Sequence, residues 1–191
     1  MMRKYKILSF LIVLLGMLCI NANVFALDNL EAEKIQFEKE MTKKHVGKTY
    51  WIHSSFGKYK EDGKPANLPN LSPAKITKIT HSSVGIPRVY FISNGKTYYV
   101  EIFDKIGSKF SFNWHFIQQN PFKTFKFSKS IWDKIKQEKI TIGMTKEAIW
   151  LSWNYPDDVN KSVGSWGVHE QWVYGSQYLY FENGKLTSWQ E

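Results

Sequence analysis

The chain has 191 residues, 43% of them hydrophobic and 16% aromatic, with a formal net charge of +9 and one cysteine. That length accommodates one domain or two small ones. The positive charge is almost all lysine, with Arg3 and Arg88 the arginines; few guanidinium forks are available to read phosphates and guanines, so nucleic acid is not expected as a partner. A lysine-rich surface still permits weak attraction to anionic wall polymers, or a peripheral membrane contact with lipid headgroups.

Arg3, Lys4 and Lys6 precede an unbroken apolar run, ILSFLIVLLGMLCI, and Val24-Phe25-Ala26 offers small residues at a cleavage site. This is the layout of a secretory signal peptide over residues 1–26, with cleavage before Leu27. The run is short of the roughly 20 residues of a spanning helix. Lipid attachment at Cys19 would need a small residue before it, where Leu18 stands. Cleavage removes three positive residues and no acids, leaving +6, and removes Cys19. The mature chain is then expected to be periplasmic or secreted, with no disulfide, thiol nucleophile or thiolate metal ligand.

Residues 27–45 read as a helical lead-in. Asp28 and Glu31 form a capping pair and Lys43 and Lys44 close the helix, but Leu30, Ile35, Phe37 and Met41 are too sparse for a deeply buried face. From Val46 the period becomes two. KTYWIHS (48–54), AKITKITHS (74–82), RVYFIS (88–93) and KTYYVEIF (96–103) are strand candidates, 55–73 is a long loop, and Asn94-Gly95 predicts a type I′ hairpin. Phe110, Phe112, Trp114 and Phe116 alternate as a last strand would. Region 46–120 thus reads as a small SH3-like β-barrel, although fragments of a β-sandwich read the same way.

Asn120-Pro121 punctuates the chain. Ser130-x-x-Asp133 predicts a capped helix to about Glu138, with Ile131, Trp132 and Ile135 on its apolar side. Thr145 predicts a second cap, for a helix carrying Ala148, Ile149 and Trp153 and ended by Pro156. Strands are expected at Val168–Tyr174, Tyr178–Glu182 and Lys185–Gln190, the last two joined by a type I′ turn at Asn183-Gly184. The fold class is α+β, with residues 126–191 a second domain of order αα-βββ.

ITIGMTKEAIWLSWNYPDDVN, GVHEQWVYG and YLYFENGKLTSWQ resemble the SmpA/OmlA family of small outer-membrane assembly lipoproteins. The shared pattern is I-x-x-G-M-T-K-E at the second helix, a closing proline, W-x-Y in a strand and F-x-N-G-K-L in the final hairpin. The resemblance implies the αα-β-β-β fold and action by binding partners. The chain departs from the family in lacking a lipobox and in carrying the preceding β region, so a role in outer-membrane assembly does not transfer directly. Gly143, Thr145 and Glu147 of GMTKE also have plain structural duties as turn, cap and dipole charge.

Chemistry-bearing patterns are scarce. His45, His53, His81, His115 and His169 have no metal-motif spacing, and there is no G-x-S-x-G elbow or P-loop. No catalytic residue, metal or cofactor is expected. Asp157 and Asp158 after Pro156 read as turn and cap residues. The informative excess is aromatic: all eight tryptophans lie beyond residue 26, six of them after residue 128. With a three-residue loop at Gly175-Ser176-Gln177, the register puts Trp172, Tyr174, Tyr178, Tyr180 and Trp189 on one sheet face and Val173, Leu179, Phe181 and Leu186 on the other, under the helices. That aromatic face would bind a partner or dock the first domain, unless the faces are reversed. The function expected from sequence is non-catalytic recognition or assembly in the cell envelope, through a protein or wall polymer. The rivals are a cell-wall hydrolase accessory using Asp157 or Glu170, and an inhibitor of an exported enzyme.

Overall fold

The computed structural model describes residues 29–54, 58–102 and 112–190. Residues up to Lys44 belong to one unit and His45–Glu191 to a second. A helix, α1, runs over 29–45, and Leu30 and Ile35 on it are exposed, as the sparse pattern predicts. Residues 1–26, expected to be a signal peptide, lie outside the described residues. No described helix is long and apolar enough to cross a membrane.

The second unit begins with strands β1 (Thr49–Ile52), β2 (Lys60–Glu61), β3 (Lys64–Pro65), β4 (Pro73–His81), β5 (Pro87–Ser93) and β6 (Lys96–Glu101). With β7 (Phe116–Ile117) they form a seven-stranded sheet of order β3-β2-β6-β5-β4-β1-β7. Alternation, interrupted in β4 by an irregularity between Ile76 and Lys78, puts Ala74, Ile76, Ile79, Val89, Phe91, Tyr98 and Val100 on the buried face. Asn94 and Gly95 take φ of 49° and 78°, the left-handed pair that a type I′ turn requires.

The expected barrel does not close among the described residues: β3 and β7 end an open sheet. Nor is the alternating 110–116 stretch a strand. Phe110 lies outside the described residues, and Phe112–His115 forms a helical turn, α2. Its Phe112 is buried, stacked on the His45 ring at 3.9 Å and edge-on to Tyr50 at 5.0 Å. Three aromatic neighbours for one ring outweigh the period-two preference, and only Phe116 and Ile117 pair with β1.

Beyond it come α3 (Pro121–Thr124), α4 (Lys129–Lys136), α5 (Lys146–Trp153) and strands β8 (Asp158–Gly164), β9 (Gly167–Tyr174), β10 (Gln177–Glu182) and β11 (Lys185–Gln190). Ser128, not Ser130, caps α4 by accepting from the Ile131 N–H, and Asp133 pairs with Lys129 one turn away. Thr145 caps α5 through the Ala148 N–H. The second sheet has order β11-β10-β9-β8, one strand more than expected. β8 is an edge strand whose residues are almost all exposed, so it carries no alternating apolar signal. Ile135 of α4 and Ala148, Ile149 and Leu151 of α5 pack on Leu179, Phe181 and Leu186 of β10 and β11. The molecule is α+β, and residues 45–191, read from sequence as two domains, cluster as one unit.

Candidate functional site

The five aromatic residues expected on one face are divided between two. β9 and β10 are joined by the two-residue turn Gly175-Ser176, so Trp172 lies opposite Leu179 and Tyr174 opposite Gln177. That shifts every β9 side chain to the other face relative to the three-residue loop. Trp172 meets Phe181 at 4.8 Å under the helices; Tyr174 meets Trp153 of α5 at 5.6 Å and donates its hydroxyl hydrogen to the Asn154 carbonyl at 2.9 Å. Burial pushes the Tyr174 phenol well up. A bulge at Thr187 realigns β11, pairing Tyr178 with Gln190 rather than Trp189 and setting Trp189 opposite Leu179, also on the helix side although 38% exposed. Tyr178 and Tyr180 alone remain outside, and Val173 joins them. The outer face is therefore polar: Asn160 donates to Gln171, Gln171 to the Tyr180 hydroxyl, and that hydroxyl to Gln190. Gly-Ser at 175–176 is itself a two-residue hairpin signal.

The two acids considered for hydrolysis have structural partners. Glu170, on the helix side, accepts from Lys146 at 2.9 and 3.1 Å and from the Trp172 indole at 3.1 Å, with Lys161 at 3.8 Å. Burial alone would raise its carboxyl, but those hydrogen bonds and cations hold it below the usual glutamate range. A general acid needs the opposite shift. Asp157 accepts from the Gly175 N–H at 2.7 Å and ties the start of β8 to the β9–β10 turn.

The first sheet and the helices meet along a seam of hydrogen bonds. Asn70, 5% exposed, donates through Nδ2 to the carbonyls of Ile135 at 3.0 Å and Leu151 at 2.8 Å, and accepts from the Ser54 N–H at 3.2 Å. Those carbonyls lie in the last turns of α4 and α5, where intrahelical donors run out. Ser54 donates to Glu138 at 2.6 Å, and Asn154, the residue after α5, donates to the Trp114 carbonyl at 2.6 Å. The His53 ring lies 5.1 Å from Trp150, edge-on.

Beside this seam opens a cleft of about 270 Å³. Phe125, Trp150 and Tyr155 supply aromatic walls, and Asn113, Gln118 and Gln119 an amide rim. Trp150 and Tyr155 are 5.6 Å apart at 50°, Phe125 and Trp150 6.5 Å apart at 63°. Gln118 donates to Asn113 at 2.8 Å, which orients both amides. Among the described residues no charged side chain lines the cleft. The Trp150 indole nitrogen is buried and finds no hydrogen-bond partner among the described residues. No family model, curated protein or solved structure matches this chain.

Sequence reasoning did not find this cleft. Its walls come from 113–125 and 150–155, which are brought together by the seam, and no short motif spans them. The one local hint is Tyr155, an aromatic residue placed directly before the proline that ends the α5 region.

Behind the cleft His53 and His115 are buried, the His53 N–H donating to the His115 carbonyl at 3.0 Å. Burial and then the neighbouring His115 lower the His53 pKa to about 3, and burial lowers that of His115 to about 4. Among the described residues no group of three or more His, Cys, Asp or Glu is placed to hold a metal ion. Both imidazoles stay neutral in the folded protein where the unfolded chain would bind protons below about pH 6.5. Their contribution is therefore complete above that pH and is lost on acidification through the interval between 6.5 and the lowered values. Stability is expected to fall by about 2 kcal/mol between pH 6.5 and 5.5, about 1 kcal/mol from each histidine, since the unfolded imidazoles go from half to nine-tenths protonated over that interval. Urea melts at both pH values measure the slope. His53→Leu should roughly halve it.

Proposed function

We propose that this protein is exported and acts without catalysis, recognising a wall polymer or an envelope protein through the seam cleft. The observation that supports this is the cleft itself: aromatic walls and an amide rim, with no charged side chain lining it among the described residues. Such a lining favours binding and orienting a ligand over acid–base or nucleophilic work, which needs titratable groups at the reacting atoms. In this reading residues 1–26 are removed before Leu27 and the first sheet plays the part of an SH3-like module. The αα-β-sheet half plays that of an SmpA/OmlA-like module enlarged by β8.

The test has two parts. The intact mass of the exported form should begin at Leu27; a mass retaining residues 1–26 removes the export reading. Immobilised mature protein should retain wall material or an envelope protein, and Tyr155→Ala with Asn113→Ala should abolish retention while leaving the melt unchanged. Both residues are exposed, so truncation opens no sealed cavity. Retention that survives the double change places recognition elsewhere on the surface.

A further inference from the structure

We infer that the seam cleft takes one uncharged pyranose ring of a glycan, an assignment that rests on the recognition reading above and narrows it to a ligand class. A pyranose is amphipathic in a particular way: its ring faces present C–H groups, its edge presents hydroxyls, and it carries no charge. Phe125, Trp150 and Tyr155 are half-buried or exposed rings set at angles around one space, the arrangement that accepts an apolar ring face on one wall while leaving the edge free. The edge then meets Asn113, Gln118 and Gln119, whose amides each donate and accept, as vicinal hydroxyls require.

A further observation points the same way. Among the described residues no charged side chain lines the cleft, so they offer an anionic polymer no cation there, and such a polymer would be drawn instead to the lysine surface. At about 270 Å³ it has room for a ring and not for several. The seam hydrogen bonds of Asn70 and Asn154 fix its walls before any ligand arrives, so little ordering remains to oppose binding.

The experiment is a two-dimensional NMR titration of the protein from Leu27 onward, following the tryptophan indole signals, with Trp150 assigned by its own substitution. The probes are cellotriose, the N-acetylglucosamine trisaccharide and trigalacturonate, at low and high salt. At least one neutral trisaccharide should shift the Trp150 indole signal and be insensitive to salt. Tyr155→Ala should weaken it at least about tenfold, or 1.4 kcal/mol. Trigalacturonate should fail to shift that signal, or should bind only at low salt. Neutral sugars that leave Trp150 unmoved, or bind equally well to the Tyr155→Ala protein, overturn the assignment. If the sugars fail while an envelope protein is retained and lost with Tyr155→Ala, the recognition reading survives and the ligand class is wrong. If both fail, both fall.

Discussion

Replacing Asn70 with alanine is expected to cost about 2–4 kcal/mol of stability, although the residue is a single small amide in a loop. Its Nδ2 serves two helix C-termini at once, and its Oδ1 holds the Ser54 N–H. Ile135 O keeps a second donor, the Glu138 N–H at 3.0 Å, while Leu151 O has Asn70 as its partner across the seam. Truncation thus strands one buried carbonyl fully and weakens two further groups. Asn70→Asp should be at least as damaging, because a carboxylate turns lone pairs toward the carbonyls where the amide offered hydrogens. Chemical denaturation of the two variants gives the comparison. A loss below about 0.5 kcal/mol, the range of ordinary surface changes, would show that water replaces the amide without penalty.

The second large effect reads the strand register. Phe181→Ala and Trp172→Ala should each cost about 3–5 kcal/mol, as large-to-small changes in a packed core do. Tyr178→Ala should cost less than about 1 kcal/mol, being on the outer face. The informative member is Trp172. Under the three-residue loop it shares a face with Tyr178 and Tyr180 and its loss would be mild; under the two-residue turn it packs on Phe181 and bonds Glu170. Melts of the three variants in the chain from Leu27 distinguish the registers, since under the three-residue loop Trp172→Ala would be as mild as Tyr178→Ala, and under the two-residue turn it groups with Phe181→Ala.

What could be read from the residues was local. Asn94-Gly95 and Asn183-Gly184 place both hairpins because left-handed φ at two successive positions has few sequence solutions. Thr145 caps α5 because its hydroxyl competes for its own helix's free N–H groups. What failed was set at a distance. Phe112 leaves its alternating pattern for the rings of His45 and Tyr50, β8 exists by pairing with β9 rather than by burying a face, and the Thr187 bulge has no composition cue. The Gly175-Ser176 pair is itself a legible two-residue turn, and the one residue by which it differs from the three-residue loop puts Trp172 and Tyr174 on the helix side, partly buried against the core. The cleft was invisible for the same reason the seam was: its parts are remote in sequence.

That remoteness governs how the chain must fold. Ser54 finds Glu138 84 residues later, and Asn70 finds Leu151 81 residues later. Contacts of such separation demand closure of long loops before any reward is collected, the circumstance that slows folding of high-contact-order topologies. The β1 end of the first sheet waits for β7 and then for the helix ends, all of which leave the ribosome later. A nascent chain stopped near residue 120 therefore holds all seven strands of the first sheet but lacks Glu138 and the helix-end carbonyls that Ser54 and Asn70 bond across the seam. Proteolytic or engineered cuts at the Asn120-Pro121 boundary should yield two incompetent halves that regain structure only when mixed.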